Sequence, residues 1–265
     1  MATNPNLWKE ILCGALLGIV GVACMYRIVA YPVEPGRHNV QIAFNPSNVW
    51  LLSFRCATFV FFVVVWILQV QSSNWFELVY YTYWNFTLQT IYFGAAIVDQ
   101  VRRWSRPPTL TDRYYANRPL NTLFDVVFAS LILVALVYWI FIFNTAKHIE
   151  WPTYVVHLVN VVLVVVEFAF NEHLAQRTSL KYVVLWPAIF ASVAWIGHAT
   201  YTRGFWPYSI MSLDNPYAPL VWLGIGVAHV VCFGFVLLLS YFKARWVGGE
   251  QPPRLLARQD MHLHA

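Results

Sequence analysis

The stretch YYTYWNFTLQTIYFG, Tyr80 to Gly94, combines a lipid-compatible composition with a row of hydrogen-bonding side chains. Thr82, Asn85, Gln89 and Tyr92 recur at steps of three and four residues, which places them on one face of an α-helix. Polar groups inside a membrane are costly unless paired, so they usually face the bundle interior or a wet cavity. The pattern therefore predicts a membrane helix that turns a polar stripe toward its neighbours.

The composition of the whole chain supports a membrane location. Of its 265 residues, 59% are hydrophobic and only 11% are charged, whereas soluble domains carry about a quarter charged residues. About 20 apolar residues span a bilayer as a helix. Such runs, separated mostly by clusters of helix-breaking residues, occur at about residues 10–31, 49–71, 75–98, 120–144, 153–171, 180–202 and 219–242.

These runs predict an all-α fold, a polytopic bundle of about seven transmembrane helices. We expect residues 1–242 to form one bundle domain and residues 243–265 to form a loosely ordered cytosolic tail. No basic region precedes the first run, so we interpret that run as a retained helix. Gly14 and Gly18 in it form a GxxxG match, which favours close helix packing and is compatible with a homo-oligomer.

Basic residues predict the orientation, because cytoplasmic loops carry the excess of Lys and Arg. With the Arg-rich loop 99–119 in the cytoplasm, the N-terminus is lumenal or extracellular and the C-terminus is cytosolic. Arg27 and Arg55 then lie near cytoplasmic helix ends, where long side chains can snorkel to the interface. The other basic residues divide between Lys9, Lys147 and Arg203 outside, and Arg37, Arg102, Arg103, Arg106, Arg113, Arg118, Arg177, Lys181, Lys243, Arg245, Arg254 and Arg258 inside.

Charge and cysteine usage argue against two other classes of function. The net charge of +5 is modest and the loops are short, so we expect the lipid bilayer, and not a nucleic acid, as a partner. The cysteines fall in apolar stretches without the spacing of zinc sites. We expect no cofactor and interpret these residues as buried free thiols: Cys13, Cys24, Cys56 and Cys232.

The fifth predicted helix carries a second polar stripe. His157, Asn160, Val164, Glu167 and Asn171 follow the same helical spacing. We interpret Glu167, with its asparagine neighbours, as a structural group that joins helices. Counting 1.5 Å per residue puts His157 about 8 Å below the outer end of its helix.

The same count places other groups at comparable depth. Thr82 lies about 10 Å below the outer end of the third helix, and His198 about 8 Å below that of the sixth. These groups therefore share a level with His157. His229 lies deeper, near mid-membrane, and Asp99 and Asp125 fall in the inner half together with Glu167.

Three segments resemble the androgen-induced gene 1 family of multipass membrane proteins: YYTYWNFTLQTIYFG, HLVNVVLVVVEF from His157, and WIGHATYTRGFWPY. The resemblance extends from about residue 49 to 242 and is strongest around Thr82. Better-known members hydrolyse fatty acid esters of hydroxy fatty acids with a catalytic threonine and histidine inside the membrane. The resemblance implies that Thr82 is the nucleophile and His157 the catalytic histidine. The first helix is additional to the six spans of those members.

The hypothesis that follows is an intramembrane hydrolase of a lipid ester, in the endoplasmic reticulum or the plasma membrane. A threonine hydroxyl is a weak nucleophile and needs an adjacent base, which would be a neutral His157. Four further residues are candidates for binding the substrate or its developing oxyanion: Asn85, His198, Gln89 and Tyr92.

Two alternatives remain open on the sequence. One is a metal or haem site built from His157, His198, His229 and an acidic residue. The other is a non-catalytic transporter, receptor or scaffold, such as a proton-coupled carrier that uses Asp125, Glu167 and His229.

The predicted orientation can be tested with single cysteines in a variant that lacks the four native ones. Ser72→Cys lies in a predicted outer loop and Ser105→Cys in a predicted inner loop. In sealed membranes of known sidedness, a membrane-impermeant maleimide should label Ser72→Cys at once and Ser105→Cys only after permeabilisation. The opposite order would reverse the topology.

Overall fold

The structure of the protein, a computed structural model, describes residues 6–33, 37–39, 42–105, 115–143 and 150–247. The described chain is a helical bundle, as predicted. The fifth span consists of two α-helical pieces with a π-helical turn between them. The elements are α1 Leu7–Ala30, α2 Val49–Ser72, α3 Tyr81–Trp104, α4 Arg118–Val137 with a π-helical extension Tyr138–Ile142, α5 Trp151–Tyr154, the π-helical turn Val155–Val159, α6 Asn160–Phe170, α7 Leu180–Ala199 and α8 Ala218–Val247.

Six of the described helical segments are long and apolar enough to cross a membrane. The α3 helix, with 24 residues, is as long as α1 and α2, but its polar stripe lowers its hydropathy. It lies inside the bundle against α2 and α4. The stripe that marks α3 in the sequence is thus the feature that separates it from the other spans.

Three helix boundaries differ from the predicted ones by five residues or more, among them the end of α3, which lies at Trp104 and not near residue 98. The third helix begins at Tyr81 and not near residue 75, because Asn74 and Trp75 have positive φ angles of 50° and 70° and a 3-10 turn follows at Phe76–Val79. Hydropathy does not register such a change of backbone direction. The last helix continues to Val247, and residues 248–265 of the predicted tail lie outside the described residues.

A short antiparallel ribbon pairs β1, Arg37–Asn39, with β2, Tyr115–Asn117. It joins the segment after α1 to the segment before α4 and was not predicted. Several basic residues that entered the orientation argument lie outside the described residues: Arg106, Arg113, Lys147, Arg254 and Arg258.

Aromatic side chains fill the centre of the bundle. Phe62 of α2 contacts Phe86 and Phe93 of α3 at ring distances of 4.7 and 5.6 Å. Phe124 and Phe128 of α4 extend this core. The α1 helix packs outside it against α7 and α8, where Gly14 of the GxxxG match lies beside Trp195 of the same chain.

A buried ion pair joins α2 to α6. Arg55 donates from Nε and Nη2 to the Glu167 carboxylate at 3.1 and 2.5 Å, and both residues are at most 2% exposed. Arg55 also donates to Gln100 at 2.9 Å. The prediction that Arg55 snorkels to the interface is therefore wrong, because a carboxylate on another helix compensates its charge inside the bundle.

Two further contacts tie the neighbouring segments together. Arg103 of α3 forms a buried ion pair with Glu172, just after α6. Lys243 of α8 donates to the carbonyls of Asn171 and His173 at 2.7 and 3.1 Å. Buried charges thus hold α2, α3, α6 and α8 at the end of the bundle where α3 finishes.

Three of the four cysteines are buried free thiols, as expected, namely Cys13, Cys24 and Cys232. Cys56 is also free but lies exposed on the surface of α2, so the expectation of burial is wrong for that residue. In a membrane protein the outer surface is itself apolar, because lipid covers it. An apolar sequence context therefore does not distinguish the core from the lipid face.

The Arg55–Glu167 pair should make a large contribution to the free energy of unfolding. Removing one charge with Arg55→Met or Glu167→Leu leaves the other buried and unpaired, which costs about 3–5 kcal/mol of unfolding free energy. The double variant should recover most of that loss, since no unpaired charge remains. Thermal unfolding in detergent measures the three variants, with Glu150→Gln, an exposed carboxylate, as the control. Additive losses in the double variant would contradict a paired role.

Candidate active site

The α3 and α4 helices run antiparallel. Near the start of α3, the Tyr81 hydroxyl donates to Ser130 at 3.1 Å. Eleven residues later the Tyr92 ring packs 4.8 Å from Phe124. Residue numbers therefore increase along α3 in the direction in which they decrease along α4.

The span containing α6 is also antiparallel to α4. The His157 ring stacks on Tyr138 at 3.7 Å, with only 10° between the ring planes. Toward the other end of α4, Phe128 lies 5.1 Å from Phe168. Since α3 and α6 both oppose α4, they run parallel to each other.

One hydrogen bond sets the register between these parallel helices. The Tyr92 hydroxyl donates to Glu167 at 2.8 Å, and the two residues are 75 apart in the chain. The same difference of 75 in residue number relates the other members of the two stripes. The turn Val155–Val159 also packs on α3. Counting 1.5 Å per residue from the Tyr92–Glu167 contact puts Thr82 at about the height of His157, and Asn85 at about the height of Asn160.

Thr82 lies in the first turn of α3 and is half-buried. In the same helix, Thr87 and Thr90 donate to carbonyls one turn back, at 2.7 and 2.9 Å. This back-bonding is the usual hydrogen bond of a threonine in a membrane helix. Thr82 forms no such back-bond among the described residues, and the carbonyl one turn before it, that of Leu78, accepts the Trp84 indole N–H at 2.8 Å.

Tyr208, in the segment between α7 and α8, approaches the start of α3. Its ring lies 5.9 Å from Tyr80 and 6.4 Å from Phe190. Burial raises the pKa of the Tyr208 phenol, and hydrogen bonding with the Thr82 hydroxyl and with the N–H groups of Thr82 and Tyr81 partly offsets that rise. The first-turn N–H groups of a helix lack partners within the helix, and the Tyr208 hydroxyl lies near those of Tyr81 and Thr82.

His157 lies in the π-helical turn and is 8% exposed. Such single π-helical turns occur often at functional sites. The indole N–H of Trp139 donates to the His157 carbonyl at 2.9 Å, while Nδ1 of its ring has no hydrogen-bond partner among the described residues. The ring is therefore held by stacking on Tyr138 and retains a nitrogen free for a proton.

Asn85 and Gln89 continue the α3 stripe from Thr82. They are 1% and 0% exposed. Neither side-chain amide has a partner in the part of the chain that the structure describes. Both lie in the bundle interior, as the stripe predicts, and the donors and acceptors of their side chains are unused.

Tyr92 lies farther along the stripe and has different surroundings. Its hydroxyl contacts Glu167 and also accepts from Asn171 at 3.3 Å. At 1.5 Å per residue it is about 15 Å from Thr82 along α3. The structure therefore places Tyr92 with the Arg55–Glu167 pair.

His198 lies at the end of α7, and its ring stacks on Trp206 at 4.2 Å. Trp206 packs in turn 6.1 Å from Trp222 of α8. This places His198 beneath the same 200–217 segment that carries Tyr208. The ring stacked on His198 is the Trp206 indole, and no described contact joins His198 to Thr82.

The three histidines of the metal alternative have separate neighbours. His229 contacts the Tyr81 hydroxyl through Nε2 and the Ile225 carbonyl through Nδ1, both at 2.9 Å. His157 and His198 stack on different aromatic rings, as described above. The described residues contain no group of three or more His, Cys, Asp or Glu side chains suited to a metal ion.

Two aromatic residues of the site were missed from the sequence. The sequence did not predict either Tyr208 or Tyr138 as a site residue. Tyrosine is common at both membrane interfaces, so composition does not distinguish a belt residue from one that contacts a threonine. What identifies these two residues is a contact between segments that are distant in the sequence, and a single sequence does not reveal such contacts.

A comparison with known families identifies the family of the chain. A FAR-17a/AIG1-like protein family profile matches residues 47–244. The chain belongs to the FAR-17a/AIG1-like family. The match covers α2 to nearly the end of α8 and leaves α1 outside. No curated protein and no solved structure matches the chain.

Membership of the FAR-17a/AIG1-like family confirms the resemblance drawn from the sequence, and it is consistent with a membrane hydrolase. The six long apolar helices support an integral multipass membrane protein. Thr82, His157 and Tyr208 all lie within the matched region.

The role of Tyr208 at the start of α3 can be measured without an activity assay. Tyr208→Phe removes the hydroxyl that meets Thr82 and should lower the free energy of unfolding by about 0.5–1.5 kcal/mol, the net value of a hydrogen bond. Tyr217→Phe, in the same segment but 65% exposed, is the matched control for thermal unfolding. An equal effect of the two substitutions would refute the contact.

Proposed function

We propose that this protein is an intramembrane lipid ester hydrolase with Thr82 as its nucleophile and His157 as its base. Its substrates would be fatty acid esters of hydroxy fatty acids or related lipid esters. The observation that carries the proposal is the Tyr92–Glu167 contact between α3 and α6, because counting residues from it puts Thr82 at about the height of His157. The family match supports it independently.

The proposed reaction begins when the Thr82 hydroxyl attacks the ester carbonyl. His157, as a neutral imidazole, takes the hydroxyl proton and then protonates the leaving alkoxide. The result is an acyl-threonine intermediate and a free hydroxy fatty acid. Water then attacks the acyl group, His157 takes its proton, and the fatty acid leaves as the Thr82 hydroxyl is regenerated.

The oxyanion of each tetrahedral intermediate needs hydrogen-bond donors. Asn85, one turn along α3 from Thr82, has an unused amide N–H. The first-turn N–H groups of α3 are a second source, because the helix dipole favours negative charge there. Tyr208 interacts with these N–H groups, so substrate binding at that position requires its hydroxyl to shift or to act as a donor itself.

The remaining candidates have weaker support as groups that contact the substrate. Gln89 lies on the stripe beyond Asn85, and His198 is stacked on Trp206. Tyr92 is engaged with Glu167. Their roles stay proposals, as do a homo-oligomeric state and a location in the endoplasmic reticulum or the plasma membrane.

The carrier alternative receives less support from the described contacts. It would need Asp125, Glu167 and His229 to relay protons. Asp125 accepts from the Ser179 hydroxyl at 2.6 Å, Glu167 is paired with Arg55, and His229 contacts Tyr81. These are three separate structural networks, which favours roles in joining helices.

A fluorophosphonate probe tests the nucleophile, because it modifies activated hydroxyls and not ordinary ones. In detergent-purified protein, mass spectrometry of peptides should find the adduct on Thr82. Thr82→Ala should abolish labelling, and His157→Ala should reduce it by about 100-fold or more, the usual scale of general base catalysis.

The matched control is Thr90→Ala, which removes a half-buried, back-bonded threonine of the same helix. It should label like the wild type. Thermal unfolding of each variant ensures that the comparison is made on folded protein. An unlabelled Thr82 in folded wild type, or an adduct that survives His157→Ala at full rate, would overturn the proposed pair.

A further inference from the structure

Three buried amides between α3 and α6 have unused hydrogen-bonding atoms. Both polar atoms of the Asn85 and Gln89 side chains, and Oδ1 of Asn160, lack a partner within the described residues. All three residues are at most 1% exposed. Buried polar groups in proteins are almost always paired, so unpartnered amide atoms on two helices that are joined at Tyr92 and Glu167 point to a ligand between them.

The positions of these amides form a row. Counting along both helices from the Tyr92–Glu167 contact puts Asn85 and Asn160 at about the same height, and Gln89 lies one turn farther along α3. Thr82 and His157, whose Nδ1 is also unpartnered, lie at one end. Tyr92 with the Arg55–Glu167 pair closes the other end.

The chemistry of the row favours a small neutral ligand. The Asn85 and Gln89 amides each offer donors and an acceptor, and the Arg55–Glu167 pair at the end of the row compensates its own charge. An ionic ligand would therefore have no counter-charge. Water both donates and accepts, and buried waters typically have about three polar partners.

We propose that Asn85, Gln89 and Asn160 bind a row of ordered waters that leads to Thr82 and His157 and supplies the water that hydrolyses the acyl-enzyme. The hydrolytic role rests on the proposed function. In that step the water oxygen bonds to the acyl carbon, its proton passes to His157, and the bond from the acyl carbon to the Thr82 oxygen breaks. His157 returns the proton to that oxygen.

Radiolytic labelling tests the waters without reference to catalysis. Hydroxyl radicals formed from bound water oxidise adjacent side chains, so Tyr92, although fully buried, should be oxidised in detergent-purified wild-type protein. Phe128, 1% exposed in the aromatic core, should not be. In the double variant Gln89→Leu with Asn160→Leu, oxidation of Tyr92 should fall to the level of Phe128, while Thr90→Val should leave it unchanged.

A wild-type protein in which Tyr92 is oxidised no more than Phe128 would overturn the proposed waters. Equal oxidation of Tyr92 in the wild type and the double variant would overturn the assignment of the waters to these amides. Thermal unfolding shows whether the double variant remains folded, and single Gln89→Asn, which keeps the amide, should retain most of the labelling.

The hydrolytic role is tested by burst kinetics with a p-nitrophenyl fatty acid ester. In the double variant the burst, which reports acylation of Thr82, should change little. The later steady rate, which reports hydrolysis of the acyl-enzyme, should fall by about 10-fold to 100-fold, as expected when a reacting group is misplaced. Mass spectrometry should then find acyl-Thr82 accumulating in the variant.

The outcomes separate this inference from the proposed function. Equal loss of the burst and the steady rate would overturn the water role and assign the amides to substrate binding. A wild type without any burst would refute the threonine hydrolase and the hydrolytic role together, and the radiolytic result would still decide whether the waters exist.

Discussion

The buried ion pair between Arg55 and Glu167 is the constraint on which the arrangement of the bundle depends. A charge inside a membrane protein is tolerated only when an opposite charge and hydrogen bonds compensate it. Glu167 meets this requirement for Arg55, and Tyr92 donates to the same carboxylate. Three helices must therefore present one residue each at the same place, which leaves little freedom in their relative heights.

The consequences of that constraint reach the opposite end of α3. Because α3 and α6 run parallel, a register fixed at Tyr92 and Glu167 is carried along both stripes to Thr82 and His157. Stacking on Tyr138 then orients the histidine, and the Tyr208 segment covers the start of α3. The charged contacts hold the helices together at one end, and Thr82 and His157 lie toward the opposite end of the two stripes.

Much of the fold could be predicted from the sequence because two signals are strong in a membrane. Apolar runs of about 20 residues mark spans, and polar residues at helical spacing mark the face turned inward. Both stripes were found in this way. The start of α3 was not, since a change of backbone direction at Asn74 and Trp75 has no signature in hydropathy.

Partners distant in the sequence were the harder part. A depth count gives the height of a residue but not the direction in which it points around its helix, so it grouped His198 with Thr82, although His198 stacks on Trp206. The same limit hid the partner of Arg55 and the contact of Tyr208. Each depends on which helices are neighbours, and one sequence read alone does not carry that information.

The most direct measurement of the central claim is the proximity of residues 82 and 157. In a variant without the four native cysteines, Thr82→Cys combined with His157→Cys should be joined by a short bifunctional maleimide, because the register puts the two positions at one height. Thr82→Cys combined with Val164→Cys, about two turns deeper on the same face, should be joined far less. Preferential cross-linking of the deeper pair would contradict the register and with it the proposed catalytic pair.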